Sequence, residues 1–407
     1  MMYRLLIFCL CSFAFISCHS QQQEKKVDTI PFHFKALTAT EKERYSEAIA
    51  PLYQKLLIQK GFNGSILLAK NGEIIFEDYH GYKNFSTKEN ISSETPFHLA
   101  SISKTFTGMT ILHLLEQGKL TLDDPMQKYF PGFPYQNITI RLLLSHRSGL
   151  PKYEYAMENR KAIITYKKNK KGKKVREITY INLDSNNEKT FVTNEDVLKF
   201  LIDKKPALQF TPNRTYLYCN TNFALLALII AKITGVSYPQ YMKDSVFTPL
   251  GLKNTFVFNE NTIAEYVPSY TYNNAAYKME KFDCIYGDKN IYSTVRDLLL
   301  WDNALYEGKF VSNATLAMAF QPYSYDRRLG KGHYYGLAWH LFYDDVNKNT
   351  IVYHNGWWHG NNTVFTRYIK DSATLIILGN KFNRNIYHAK EIGAVFSQSI
   401  DTSAVDE

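Results

Sequence analysis

Cysteine is scarce in this chain, with five in 407 residues, too few for a scaffold built on disulfides. The signatures of several enzyme classes are missing too. There is no H-E-x-x-H zinc motif, no C-x-x-C pair, no P-loop and no G-x-S-x-G elbow. The 11 histidines are scattered, so the sequence implies no metal and no other cofactor. There is no internal repeat. The apolar run from Leu5 to Ile16 is too short to cross a bilayer comfortably. What is present is ordinary for a folded protein. Hydrophobic residues make up 45% of the chain, which excludes wholesale disorder, and the length allows a sizeable core.

The N-terminus reads as an address. Arg4 precedes the apolar run, which ends in Phe15-Ile16-Ser17-Cys18 and then turns abruptly polar. This resembles a bacterial lipoprotein box, with Phe15 where Leu is usual and Cys18 as the residue that receives the lipid. The expected organisation is a signal peptide over 1–17, a tether over 18–42, a domain over 43–400 and a tail over 401–407. The expected location is an exported lipoprotein anchored to a membrane, in the periplasm or at the cell surface. Cys9 and Cys11 would leave with the signal, so Cys219 and Cys284 would remain as thiols.

Within the domain, residues 38–61 form an amphipathic helix pattern, with Tyr45, Ala48, Leu52, Leu56 and Leu57 near one face and Gly61 as its stop. Two β-rich runs flank Asn71-Gly72, a strong hairpin signal. Near the other end, 362–370 and 373–380 are strand candidates, followed by a helical stretch from about 385 to 399. Strands and a helix at each end, around a long helical middle, predict an α+β domain whose antiparallel sheet gathers both termini.

Charge is unevenly placed. The formal net charge is +10, and nine cations without one acid lie between Arg160 and Arg176. Without that segment and Arg4 the chain is close to neutral. The segment predicts a lysine-tipped β-hairpin inside an insertion over about 158–190. It reads either as a solvated loop or as a contact for an anionic envelope polymer. It lacks the aromatic interleaving of a single-strand binder, so no nucleic-acid partner is expected.

The chemistry centres on Ser101-Ile102-Ser103-Lys104. If the residues after Ser101 are helical, Lys104 lies one turn on and on the same face. A serine hydroxyl becomes a useful nucleophile when a nearby base takes its proton, and a partly desolvated lysine can serve. Further on stand Tyr218-Cys219-Asn220 and His354-Asn355-Gly356. With the run LLLSHRSGL, the PLGL turn at 249–252 and STVRDLLLWDNAL at 293–305, the chain resembles the β-lactamase-related serine hydrolases. That family includes class C β-lactamases, DD-peptidases and family VIII-type esterases.

The resemblance covers about residues 45–400 and implies a penicillin-binding-protein-like (transpeptidase-like) fold: an antiparallel sheet flanked by terminal helices, plus a mostly helical subdomain. It implies Ser101 as nucleophile, with Lys104 and Tyr218 handling protons. It implies Asn220 as a partner of the substrate amide or of Lys104. It places His354 and Gly356 on an edge strand beside the site. The backbone N–H groups of Ser101 and Trp357 would form the oxyanion hole. Trp357-Trp358-His359 reads either as a wall of the substrate cleft or as sheet packing.

Departures refine the expectation. Cys219 stands where Ser is usual, removing a hydroxyl from the proton network. Asn213 replaces a turn glycine, a change that tolerance of left-handed geometry permits. His354 replaces a lysine and supplies no fixed charge for a substrate carboxylate. The expected function is hydrolysis of an ester or amide, including a D-amino-acid peptide of the envelope, through an acyl-enzyme. The competing readings are a true β-lactamase and a non-catalytic binding or sensor protein of the same fold.

Overall fold

The computed structural model describes residues 34–158, 160–168, 172, 174–182, 191–344, 349–388 and 390–396. Cys18, the expected signal peptide and most of the expected tether lie outside them, as do residues 401–407 and residues 169–171 and 173 of the basic segment.

An eight-stranded antiparallel sheet organises the chain. Its spatial order is Ser324–Tyr325, His333–Tyr335, His340–Asp344, Asn349–Trp358, Asn361–Tyr368, Ala373–Gly379, Gly64–Lys70 and Glu73–His80. The N-terminal hairpin therefore lies beside the C-terminal strand, with Gly64 opposite Gly379. Asn71 and Gly72, at φ 52 and 73, make the hairpin turn, the conformation that an Asn-Gly pair adopts at little cost.

Alternation along the strands feeds two cores. Ile66, Leu68 and Ile377 face one side, where the helix Ala39–Leu56 contributes Ile49 and Tyr53. Leu67, Phe365, Ile376 and Leu378 face the other, packed on the helical part. That part is built on Ser103–Glu116 and Asn220–Thr234. Residues 223–230 of the second helix are buried all round, as expected for a helix in the middle of a core.

Three expectations need correction. On the first helix Ala48 is exposed, and Ile49 and Tyr53 carry the buried face. The strand Asn349–Trp358 is interior rather than at the edge, because three further strands continue the sheet beyond it. The terminal stretch breaks into the short turns Arg384–His388, Lys390–Gly393 and Ala394–Phe396. Gly393 lets Tyr368 pack close against this stretch, since a Cβ there would stand 1.7 Å from the Tyr368 hydroxyl. The basic segment does form a hairpin, Arg160–Lys168 paired antiparallel with Lys174–Asn182.

Candidate active site

Ser101 sits in the 3-10 turn Ala100–Ile102, which runs into the helix Ser103–Glu116. The turn is held from two sides. Leu99 N–H donates to Ile291 O at 2.8 Å, and Ile291 N–H donates to Ser103 Oγ at 3.1 Å. Thr363 Oγ1 donates to Leu99 O at 2.8 Å from the sheet side. Between these clamps Ala100 takes φ 48, a left-handed conformation that costs a non-glycine residue roughly 1–2 kcal/mol. Such strain persists where its surroundings over-determine it. Gly356 lets the sheet come this close, since a Cβ there would lie 2.3 Å from Thr363 Oγ1 and 2.5 Å from Leu99 O.

Lys104 follows one turn later and is fully buried. Its Nζ donates to Ser101 Oγ at 3.0 Å and to the carbonyl of Asp288 at 2.8 Å. The ammonium stands 4.8 Å from the ring centroid of Tyr218. Tyr218 precedes the helix Asn220–Thr234 and is also buried, its ring 4.3 Å from that of His146. With the proton exchanged, the 3.0 Å contact runs from the serine hydroxyl to a neutral amine. A serine so placed can be deprotonated and attack an acyl carbon.

A cavity of about 420 Å³ opens at this point, lined among others by Ser101, Glu154, Asn220, Trp357, Trp358 and His359. The Trp357-Trp358-His359 cluster is therefore cleft wall. Trp357 is 39% exposed. Trp358 Nε1 donates to Asp283 at 2.7 Å, and His359 Nε2 lies 3.0 Å from the same carboxylate. Burial works to raise the Asp283 carboxyl, but the His359 and Trp358 contacts outweigh it and leave the group below its ordinary value.

The sequence-derived residues thus fall into two layers. Ser101, Asn220 and Trp357 line the cleft, with Lys104 and Tyr218 directly behind Ser101 and Gly356 at the contact with its turn. His354 lies deeper. Its ring is fully buried, with Nδ1 donating to Asn355 O at 2.7 Å and Nε2 3.2 Å from the Tyr335 hydroxyl. It packs 6.3 Å from the Tyr218 ring, so it reaches the site through Tyr218's surroundings rather than as a donor on the cleft wall. The Cys219 thiol faces Leu150 O at 3.4 Å, and burial pushes it up to about 12. It is inert packing.

Several site residues carried no sequence motif. Glu154, on the short helix Tyr153–Ala156, accepts from Asn220 Nδ2 at 2.8 Å. Its Oε2 has no hydrogen-bond partner among the described residues, and burial raises its carboxyl above the usual range. Asp288 is fully buried and accepts from the Tyr153 hydroxyl at 2.8 Å. Lys289 donates to that same hydroxyl and lies 4.6 Å from the Trp358 ring centroid.

A cleft-lining serine paired with a buried lysine at a helix start, backed by a tyrosine and pressed against a sheet strand, defines a penicillin-binding-protein-like serine hydrolase. Comparison with known proteins agrees. The Beta-lactamase family profile matches residues 50–398, and the chain belongs to that family. It is 33% identical over 358 residues to Penicillin-binding protein 4* of Bacillus subtilis (strain 168), covering 84% of this chain and 73% of that one. It is 26% identical over 413 residues to a teichoic acid D-alanine hydrolase of Staphylococcus aureus, covering 95% and 92%. Among solved structures, D-amino acid amidase from Ochrobactrum anthropi SV3 superposes with a TM-score of 0.66 at 23% identity, over 88% of this chain and 99% of that one. The last likeness bears on the fold alone.

Proposed function

We propose that this serine hydrolase cleaves aminoacyl esters or amides that carry a free α-amino group, D-alanyl esters of the cell envelope being the favoured class. In this reading Ser101 Oγ bonds to the acyl carbon while its proton passes to Lys104. Tyr218 then delivers a proton to the leaving oxygen or nitrogen as that bond breaks. Water attacks the acyl-serine by the reverse relay and releases the amino acid. The N–H groups of Ser101 and Trp357 take the oxyanion, where one donor is worth on the order of 3 kcal/mol.

Glu154 carries the substrate reading. A buried carboxylate oxygen without a partner, in the same cleft as Ser101, suits an ammonium group, which would relieve its desolvation. The name of one relative supports this: it is a teichoic acid D-alanine hydrolase. That relative's envelope substrate supports an exported protein, and the box ending at Cys18 supports a lipid on Cys18 that holds it at a membrane.

The test compares D-alanine methyl ester with its N-acetyl derivative. Wild type favours the free amine by at least tenfold in kcat/KM, and Glu154→Gln removes most of that preference. Preference for the N-acetyl ester, as peptide or β-lactam processing requires, would overturn the substrate reading.

A further inference from the structure

The hairpin Arg160–Lys168 and Lys174–Asn182 has no role in the chemistry above. Among the described residues its two strands pair only with each other. Those strands carry six cations (Arg160, Lys161, Lys167, Lys168, Lys174 and Arg176) against one acid, Glu177. A lone two-stranded ribbon is marginally stable in water, and the sequence of this one is rich in like charge. Lys167 and Lys174 are exposed, and so is Tyr166 at 59%, with the Lys174 ammonium 5.2 Å from its ring centroid. The register sets Tyr166 opposite Arg176 and Lys168 opposite Lys174. Cations are thus concentrated across both strands near the turn end.

Along the chain the hairpin closely follows residues that line the cleft. Glu154 and Tyr155 line the cavity that holds Ser101, and the first hairpin strand begins at Arg160. Four residues lie between Tyr155 and Arg160, five backbone steps, which limits the gap to roughly 18 Å. Nine residues in each strand make an arm about 30 Å long. The rest of the chain is close to neutral, so the arm is the one concentrated positive feature in the sequence.

We infer that this arm is a docking surface for the polyanion that bears the scissile acyl group: a polyphosphodiester polymer esterified with amino acids. The inference rests on the proposed aminoacyl esterase activity and adds what the acyl group is attached to. Phosphates spaced along a polymer engage several Lys and Arg at once, which one small ester cannot do. Holding the polymer beside the cleft raises the local concentration of its esters, by a factor that falls with ionic strength.

The experiment combines Lys167→Gln, Lys168→Gln, Lys174→Gln and Arg176→Gln in the full chain. The substrates are poly(glycerol phosphate) carrying D-alanyl esters and, as the small counterpart, D-alanine methyl ester. The inference predicts that the variant loses about tenfold in kcat/KM on the polymer at low salt, with a flattened salt dependence. Its rate on the methyl ester stays within twofold of wild type. An unchanged rate on the polymer, or an equal fall on both substrates, would overturn it.

Binding separates this idea from the esterase reading. Ser101→Ala protein with the intact arm binds unesterified poly(glycerol phosphate), and the arm variant binds it at least tenfold more weakly, whether or not any ester is turned over. Loss of binding to phosphatidylglycerol vesicles, with polymer binding unaltered, would make the arm a membrane contact and contradict the inference.

Discussion

Nδ1 of His98 accepts the backbone N–H of Ala100 at 3.0 Å, and this contact holds the strained residue that immediately precedes Ser101. The imidazole is fixed from behind by Asn290, whose Oδ1 lies 2.7 Å from Nε2. Asn290 Nδ2 in turn donates to Asp283 O at 2.6 Å. The Asp283 carboxylate binds Trp358 and His359. One buried chain of hydrogen bonds therefore joins the turn that carries Ser101 to the wall of the cleft. His98→Leu removes the acceptor, whereas His98→Asn retains one at the Nδ1 position. Steady-state kinetics are expected to show kcat reduced about 10²-fold in the leucine variant, the scale of a small misplacement at a reacting centre. KM changes little, and the asparagine variant recovers much of the rate.

The same residue sets a pH dependence of stability. Burial drives its imidazolium down to about 4 from an ordinary 6.5. Between those values the unfolded chain binds a proton that the folded chain does not, so stability falls as pH drops from 6.5 and levels off below about 4. The full effect is about 3 kcal/mol. Urea denaturation across this range should show the decline in wild type and a shallower one in His98→Asn.

Gly356 governs how closely the sheet meets the Ser101 turn. Gly356→Ala forces its new methyl onto Thr363 Oγ1 and Leu99 O. Overpacking of this kind costs roughly 1–3 kcal/mol, and here the displaced backbone is that of the turn. Thermal denaturation should register the loss, and the rate should fall further than the loss of folded protein explains. A variant with wild-type kcat would show that this approach has no part in positioning Ser101.

Away from the cleft, Arg367 is fully buried and its Nε donates to Asp302 at 2.5 Å. Its guanidinium lies 4.3 Å from the Tyr306 ring centroid. Asp302→Ala leaves that cation without its partner, which costs roughly 3–5 kcal/mol. Arg367→Met with Asp302→Leu removes both charges and should recover most of the stability in urea denaturation.

Much of the site could be read along the chain because its chemistry is local. Ser101 and Lys104 are one helical turn apart, so their spacing carries their geometry, whereas Tyr218 and Asn220 are placed at the site by the resemblance to the family. The Asn71-Gly72 hairpin is legible from its local pattern. Glu154 was not, because its place in the cleft depends on distant elements, among them Asn220, which is 66 residues away. His98 was hidden likewise, its meaning resting on Asn290 at a separation of 192. The place of strand Asn349–Trp358 within the sheet depends on which later strands extend it, and no local pattern records that. The close approach of Tyr368 to Gly393 in the terminal stretch comes from another element, so no local pattern recorded it.

The central claim is that Ser101, activated by Lys104, forms the acyl-enzyme. Intact-protein mass spectrometry after rapid acid quench of D-alanine methyl ester turnover tests it most directly. Wild type should carry one alanyl adduct that maps to the peptide containing Ser101. Ser101→Ala should carry none and resist a fluorophosphonate probe. An adduct of equal yield in Ser101→Ala, or one mapped to another residue in wild type, would contradict the account.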